Sequence, residues 1–225
     1  MSAPEPEGRL PVFTGFGGDD EPVFVEGARL AVPVVRDRLL AASPTVPDRP
    51  LVVAVDGRSA SGKTTLAARL AQAPGWCVVA TDDAAWWHSF FDWDAMLRDE
   101  VLAPARAGRA VSFTPPAWRE RGREGAIEVP AGTRVLLVEG VGSSRRSLTD
   151  HLDAAVWVHT PLAEVERREA ERIRTGHVDA GLQHDWMTAE LAFLADDRPW
   201  ERADLVVSGT DLDTEAVVLL QEADR

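Results

Sequence analysis

Tyrosine is absent from this chain of 225 residues, lysine and cysteine occur once each, and no apolar run approaches the roughly 20 residues that a membrane span needs. The single Cys77 excludes an internal disulfide. The first thirty residues have neither the basic start nor the continuous apolar stretch of a secretory signal. Basic residues are outnumbered, 24 against 37 acidic, for a formal charge of -13. That balance disfavours a broad nucleic-acid or anionic-membrane surface, since both rest on clustered Lys and Arg meeting phosphate. Any anionic ligand must therefore be held by a local site. These absences predict a soluble cytoplasmic protein that binds a small molecule and neither nucleic acid nor membrane, with homo-oligomer formation left open. Nearly all of the positive charge is arginine, and eight Trp stand beside no Tyr. Such a compositional bias explains why lysines are scarce. It does not explain why one survives at position 63.

The length suits one substantial core, or one domain with an appendage, and 45% apolar content is ordinary for a globular chain. Residues 1–48 read as an N-terminal arm followed by a helix. "MSAPEPEGRLPVFTGFGGDDEPVF" is rich in Pro, Gly and acid without periodicity, "GARLAVPVVRDRLLAA" carries helical spacing around Leu39 and Leu40, and "SPTVPDRP" breaks it with three prolines. The main domain is expected over 49–225. Five short apolar runs follow, at 51–55, 77–81, 134–138, 154–158 and 204–208. Continuous runs of this length suit strands buried on both faces, as in parallel sheets. Helical patterns lie between them, including "AEVERREAERIR", which Thr160 should cap and Pro161 should open. Alternating strands and helices predict an α/β layered fold around a central, mostly parallel five-stranded sheet, with a small lid around 160–185.

One segment carries a strong signal. "GRSASGKT", Gly57 to Thr64, fits G-x-x-x-x-G-K-[ST] and lies between the apolar strand "LVVAV" and the helix-forming "TLAARLAQ". For this composition chance would produce the pattern roughly 6 × 10⁻⁴ times per chain. Such a loop wraps the backbone N–H groups of Gly57, Ser59, Ala60, Ser61, Gly62, Lys63, Thr64 and Thr65 around phosphates, aided by the positive end of the following helix. Lys63 would reach the outer phosphates and Thr64 would face Mg²⁺. ATP and Mg²⁺ are the implied ligands.

Two strand ends carry acids. "TDDAAWW" places Asp82 and Asp83 after the second strand, and "LLVEGVGS" places Glu139 after the third. In open α/β sheets ligands gather beyond the carboxyl ends of the strands. An acid of the Asp pair could take a proton from an acceptor hydroxyl, help hold Mg²⁺, or simply cap the next helix. Glu139 stands where a Walker B acid binds Mg²⁺, directly or through water.

The succession "VAVDGRSASGKTTLA", "TDD", "FFDWDAML", "LLVEGVGS", "VWVHTPLAEVERREAERI" and "RPWERADLVVSG" resembles the uridine kinase family of P-loop kinases, itself similar to pantothenate kinase and phosphoribulokinase. The resemblance covers about residues 50 to 210. It implies a P-loop NTPase three-layer fold that transfers the γ-phosphoryl group of ATP to a hydroxyl. By position Asp82 would be the general base and could also help hold the metal, Asp92 would hold the acceptor, Glu139 would bind Mg²⁺, and Arg168 and Arg172 would clamp phosphates from the lid. Arg168 and Arg172 are four apart and share a helix face, so both guanidinium groups can converge on one phosphate, and Arg174 can join them. The plain alternative is a solvated helix whose Glu and Arg pair at i,i+4.

The chain departs from the family around the acceptor. Ala84 and Ala85 follow Asp83 where an aromatic pair is expected, and Ala117 stands where an acid is expected. Phosphoryl transfer survives this better than uridine does. Trp86, Trp87, His88, Phe90, Phe91, Trp93 and Trp118 are candidates to line the acceptor pocket, with Asp83 beside them, although core packing explains any one of the aromatics as well. Arg119, Arg121 and Arg123 read as a mobile surface loop. A nucleoside is the first expected acceptor, followed by pantothenate-like, sugar or antibiotic hydroxyls.

Other phosphate-loop classes fail on inspection. A GTPase needs N-K-x-D, which a chain without a second lysine cannot contain. An ABC-type or AAA-type ATPase needs its own signature or a longer domain, and neither is found. A non-catalytic nucleotide-binding module remains, against which Asp82 and Glu139 argue. Lys63 is then the position where a compact ammonium between phosphates cannot be exchanged for a planar guanidinium.

Overall fold

The computed structural model describes residues 21–42, 48–176, 179–210, 212 and 215–222. Most of the expected N-terminal arm (1–20), much of the proline break (43–47) and positions 177–178 of the expected lid lie outside the described residues. In chain order the elements are β1 (Phe24–Ala31), α1 (Val32–Ala42), β2 (Leu51–Gly57), α2 (Lys63–Leu70), β3 (Trp76–Ala80), α3 (Thr81–Ala85) and α4 (Asp94–Leu97). A π-helical turn (Arg98–Leu102), α5 (Ala103–Arg106), β4 (Val111–Phe113), α6 (Pro116–Glu120), β5 (Ile127–Val129) and β6 (Val135–Glu139) follow. A 3-10 turn (Arg146–His151), β7 (Ala154–His159), α7 (Leu162–Arg174), α8 (Ala180–Asp197), a second 3-10 turn (Pro199–Arg202), β8 (Leu205–Ser208) and β9 (Ala216–Glu222) complete the chain.

The five apolar runs form the parallel strands, in the spatial order β8, β7, β2, β6, β3. The sheet nevertheless has seven strands, because β9 and then β1 extend it antiparallel beyond β8. Val217, Val218 and Leu219 of β9 are buried, so its apolar run follows the same rule as the other five. β1 is mostly exposed and draws its order from pairing with β9. It takes the first part of the segment read as helical, and α1 starts only at Val32.

Every residue of β2 is buried, as expected for a central strand covered on both sides. The alternation of its side chains builds two cores. Val53 and Val55 pack with Val35 and Leu39 of α1 and Leu66 and Leu70 of α2. Val52 faces the other way, with Leu136 and Val138 of β6, and meets Trp93, Leu97, Val101 and Trp118. This gives three layers, with helices on both sheet faces and the β4–β5 hairpin at one side. Among the described residues no helix is long and apolar enough to cross a membrane.

The register places the site. Glu139 lies opposite Val55 on one side and Ala80 on the other, and Gly57 lies opposite Val158. The phosphate loop, the Asp pair and Glu139 therefore leave the sheet at the same edge.

Candidate functional site

β2 ends at Gly57, and the chain turns through Ser61, whose N–H donates to Arg58 O at 3.0 Å, before α2 begins. Gly57 has φ +155°, and a Cβ there would lie 2.6 Å from both Ser61 Oγ and Val158 O. Gly62, at φ +100°, caps α2 without a side-chain oxygen, so no cap side chain covers its first N–H groups. Lys63 is buried, and its ammonium donates to Arg58 O at 3.1 Å. Thr64 and Thr65 are exposed on the first turn of α2.

Distant segments clamp this loop. The Thr160 hydroxyl donates to Ser61 O at 2.9 Å. That corrects its expected role: α7 has no side-chain cap, and Pro161 stands at the cap position rather than inside the helix. Gly209, just past β8, packs so closely that an added Cβ would lie 1.9 Å from Ser61 O.

Three acids organise the strand ends. Asp56 is completely buried and accepts from Gly57 N, Gly142 N, Ser144 N and the Ser144 hydroxyl at 2.7 to 2.9 Å. It ties the start of the phosphate loop to the turn after β6, and burial pushes its carboxyl above the ordinary range. Glu139 Oε1 accepts from the Thr64 hydroxyl at 2.9 Å. Burial is the largest influence on Glu139 and raises it. Lys63 and Thr64 act against that rise, and the charges of Asp82 and Asp56 add to it. Ala80, two residues before Asp82, pairs with Glu139 across the sheet, so the two predicted acids leave the same edge. Asp82 itself is exposed on the first turn of α3.

Adjacent ligands of an octahedral ion with 2.0–2.1 Å bonds lie about 2.9 Å apart. The spacing of Thr64 Oγ1 and Glu139 Oε1 matches that edge. Both are hard oxygen donors, so the residues fit Mg²⁺.

From α7, Arg168 donates to Ala60 O at 2.9 Å and to Gly209 O at 3.0 Å, while also pairing with Glu164. Arg172 pairs with Glu169, whose Oε1 also accepts from the Ser59 hydroxyl at 2.7 Å. The structure thus gathers Arg168 and Arg172 at the phosphate loop. Arg174 is not gathered with them: it points to solvent and pairs with Glu171.

The aromatic segment divides. Trp93 and Trp118 are buried in the second core. Trp118 Nε1 donates to Asp83 O at 2.9 Å, and Arg123 lies 3.4 Å above its ring while pairing with the Asp83 carboxylate at 2.5 Å. Arg119 donates to Thr114 O, and Arg121 lies 3.7 Å over Trp87, so all three arginines of the expected surface loop have partners. Trp87 is 65% exposed at φ +54°, and half-buried Trp86 meets it edge-on. His88 is exposed. Phe91 stacks on Trp186 at 5.4 Å and on Phe193 at 4.6 Å, and Phe90 meets Trp186 edge-on. Asp92 is exposed and accepts from the Ser89 hydroxyl.

Three glutamates at the loop were missed. Glu190 Oε1, on α8, accepts from Ser59 N at 2.5 Å and is pushed up to about 7, mainly by burial. Glu169, on α7, is also buried. Glu21, ahead of β1, pairs with Arg58 at 2.9 Å and with His159 Nδ1 at 2.8 Å, and accepts from Trp157 Nε1. Burial works upward on Glu21, yet His159 and Arg58 together hold its carboxyl below the usual range. A signal existed for two of them. Glu169 follows Val165 by one helical turn and Glu190 lies between Met187 and Leu191, so each is an acid on a buried stripe.

A protein family described as an AAA domain matches residues 52–194. That span takes in the phosphate loop, both strand-end acids, α7 and most of α8, and it corrects the reading that set an AAA-type protein aside. A tRNA dimethylallyltransferase of Rhodopseudomonas palustris is 34% identical over 153 residues, 64% of this chain and 48% of that one. The chain thus spans about half the length of this curated relative. Among solved structures, one described as a possible uridine kinase from Bacillus stearothermophilus superposes with a TM-score of 0.54 at 20% identity, over 78% of this chain and 96% of that one. A candidate fructose transport system kinase from Silicibacter sp. TM1040 superposes with a TM-score of 0.55 at 23% identity, over 77% and 95%. The fold is that of uridine kinase-like P-loop proteins.

Proposed function

The chain belongs to the AAA-domain family of P-loop proteins, and from that premise we propose that it is a Mg·ATP-dependent kinase acting on a small-molecule hydroxyl. The observation that carries the reading is the cluster of Lys63, the Thr64–Glu139 contact and exposed Asp82 at one sheet edge. A module that only binds nucleotide has no need of an accessible acid beside the metal-type donors.

Lys63 and the loop N–H groups would bind the β- and γ-phosphates, and Arg168 and Arg172 would add charge from the lid. Thr64 and Glu139, with Asp82 near them, would hold Mg²⁺, which when bound neutralises charge on the phosphate oxygens. Asp82 takes the proton from the acceptor hydroxyl as its oxygen bonds to the γ-phosphorus. The bond to the β–γ bridging oxygen breaks and ADP leaves. Closure of α7 over the phosphates excludes water and suppresses hydrolysis.

A nucleoside is the first acceptor proposed, because Trp86 and exposed Trp87, with Arg121 over one face of its ring, follow Asp82 closely in the chain and supply aromatic surface. A sugar, pantothenate-like or antibiotic hydroxyl comes next. The match to a tRNA dimethylallyltransferase supports a second reading, in which the loop holds the diphosphate of a prenyl donor; the charge of -13 speaks against a tRNA acceptor. A panel of nucleosides, sugars, vitamins and aminoglycosides assayed for acceptor-dependent ADP release tests the kinase reading. A parallel arm with dimethylallyl diphosphate and tRNA tests the alternative. No ADP release with any acceptor, together with intact Mg·ATP binding, would favour the non-catalytic module.

A further inference from the structure

Helix α8 presents Trp186, Glu190 and Phe193 on one face, since steps of four and three residues keep them within one stripe. The middle residue reaches the phosphate loop, where Glu190 Oε1 accepts from Ser59 N–H. The outer two hold Phe91. Their positions are two turns apart, about 10.5 Å at 1.5 Å per residue, and the Phe91 ring stacks on both.

We propose that α8 is a nucleotide-responsive gate: Glu190 competes with nucleotide phosphate for the Ser59 N–H, so nucleotide displaces α8 and thereby releases the Phe91 segment for the acceptor. The proposal rests on the phosphate-loop reading above. A phosphate loop works by aiming backbone N–H groups at anionic oxygens, and a carboxylate on one of those groups is a rival anion. Glu190 is only 3% exposed, so its charge is poorly screened. A phosphate arriving beside it meets repulsion that solvent does not relieve.

The surroundings of Glu190 agree. Arg58 and Lys63 draw it toward the loop, and Glu169, on α7, opposes it. Glu169 is 2% exposed, and its Oε2 has no hydrogen-bond partner among the described residues. Two buried carboxyl groups thus occupy Ser59, one at its N–H and one at its hydroxyl. Nucleotide phosphate gains the Ser59 N–H only if Glu190 withdraws. Because the same helix carries Trp186 and Phe193, its withdrawal opens the slot around Phe91, next to Asp92. The consequence is ordered binding, nucleotide before acceptor.

The test uses calorimetric titration of a non-hydrolysable Mg·ATP analogue into the full chain and into Glu190→Gln, Phe193→Leu and Lys63→Ala. Glutamine keeps the shape and removes the charge, so Glu190→Gln is expected to bind about tenfold more tightly, because the competent conformation no longer has to be drawn from a minor population. Phe193→Leu, which loosens the stacking and keeps Glu190, is expected to bind about threefold more tightly by the same relation and stands in if the first variant does not fold. In amide exchange, the analogue is expected to speed exchange across residues 180–197 and 89–93 of the wild type. Equal or weaker binding by the folded variants, or unchanged or slower exchange in both segments, overturns the gate. Lys63→Ala separates the two levels: wild-type binding by this variant would instead bring down the phosphate-loop reading itself.

Discussion

Replacing Asp56 by Asn changes one buried atom and permits a worked magnitude. Oδ1 accepts from Gly57 N at 2.7 Å and Gly142 N at 2.9 Å, while Oδ2 accepts from Ser144 N at 2.8 Å and the Ser144 hydroxyl at 2.7 Å. An asparagine must turn its NH₂ toward one of these pairs. Toward the glycines it would face two fixed N–H donors. Toward Ser144 it faces one fixed N–H and a hydroxyl that can rotate and accept. The second choice is cheaper, and it leaves the Ser144 N–H without an acceptor. An orphaned buried donor costs about 1–3 kcal/mol, and weakening the two remaining charge-assisted bonds adds about 0.5–1 kcal/mol each. Relief of the buried charge acts in the other direction, as the raised Asp56 carboxyl indicates. The net expectation is a loss of about 2–3 kcal/mol, which for a chain of this size lowers Tm by about 5–10 °C. Urea unfolding should show a lower midpoint with an unchanged slope. A variant as stable as the wild type, or more so, would refute the reasoning, because the burial penalty would then outweigh the hydrogen bonds.

Lys63→Ala should lose the thermal stabilisation that Mg·ATP confers, and so should Lys63→Arg, even though this composition strongly favours arginine; an unaltered melting shift in either would undo the argument from the lone lysine. Asp82→Asn should bind Mg·ATP normally and transfer phosphate about 10²–10⁴-fold more slowly, so equal turnover would remove Asp82 as the base. Glu190 makes a pH prediction. Its folded-state pKa of about 7 lies above the ordinary 4.5, so between these values the folded chain holds a proton that the unfolded chain has released. Its contribution to stability is therefore greatest below pH 4.5 and declines as pH rises to 7, by about 3 kcal/mol at most. The difference in unfolding free energy between wild type and Glu190→Gln should change across that window. A constant difference would show that Glu190 does not titrate there.

The parts of the fold that could be read from sequence are those decided by short-range chemistry. The central parallel strands β2, β6 and β7 are buried almost throughout, so their runs are largely apolar, and the phosphate loop needs glycines at fixed positions because Gly57 has no room for a Cβ and Gly62 sits at φ +100°. Edge pairing is another matter. β1 is largely exposed and gains its order from β9, nearly two hundred residues away in sequence, so its own letters favoured the neighbouring helix. The site divides in the same way. Lys63, Thr64 and Glu139 follow from motif and strand end, whereas Trp118 and Trp93 look like pocket walls in sequence and are core residues in space. In "EVERREAERIR" the acids look alike, yet Glu164 and Glu171 pair outward with arginines while Glu169 turns onto the loop. Only the face of the helix separates them. Glu21 carries no local mark, because its partners Arg58, Trp157 and His159 are assembled by tertiary packing.

Gly209 extends this point to the loop itself. Its carbonyl accepts from Arg168, and its Cα presses on Ser61, where even a methyl group would collide with backbone. In three dimensions the nucleotide-binding motif is therefore discontinuous, with its last glycine supplied from the end of β8, two strands along the sheet. A search confined to consecutive letters understates how much of this chain the motif constrains. Mutational scanning should find position 209 as intolerant of alanine as the glycines inside the loop, and library designs that vary the segment after β8 as a free surface loop would be depleted of functional members there.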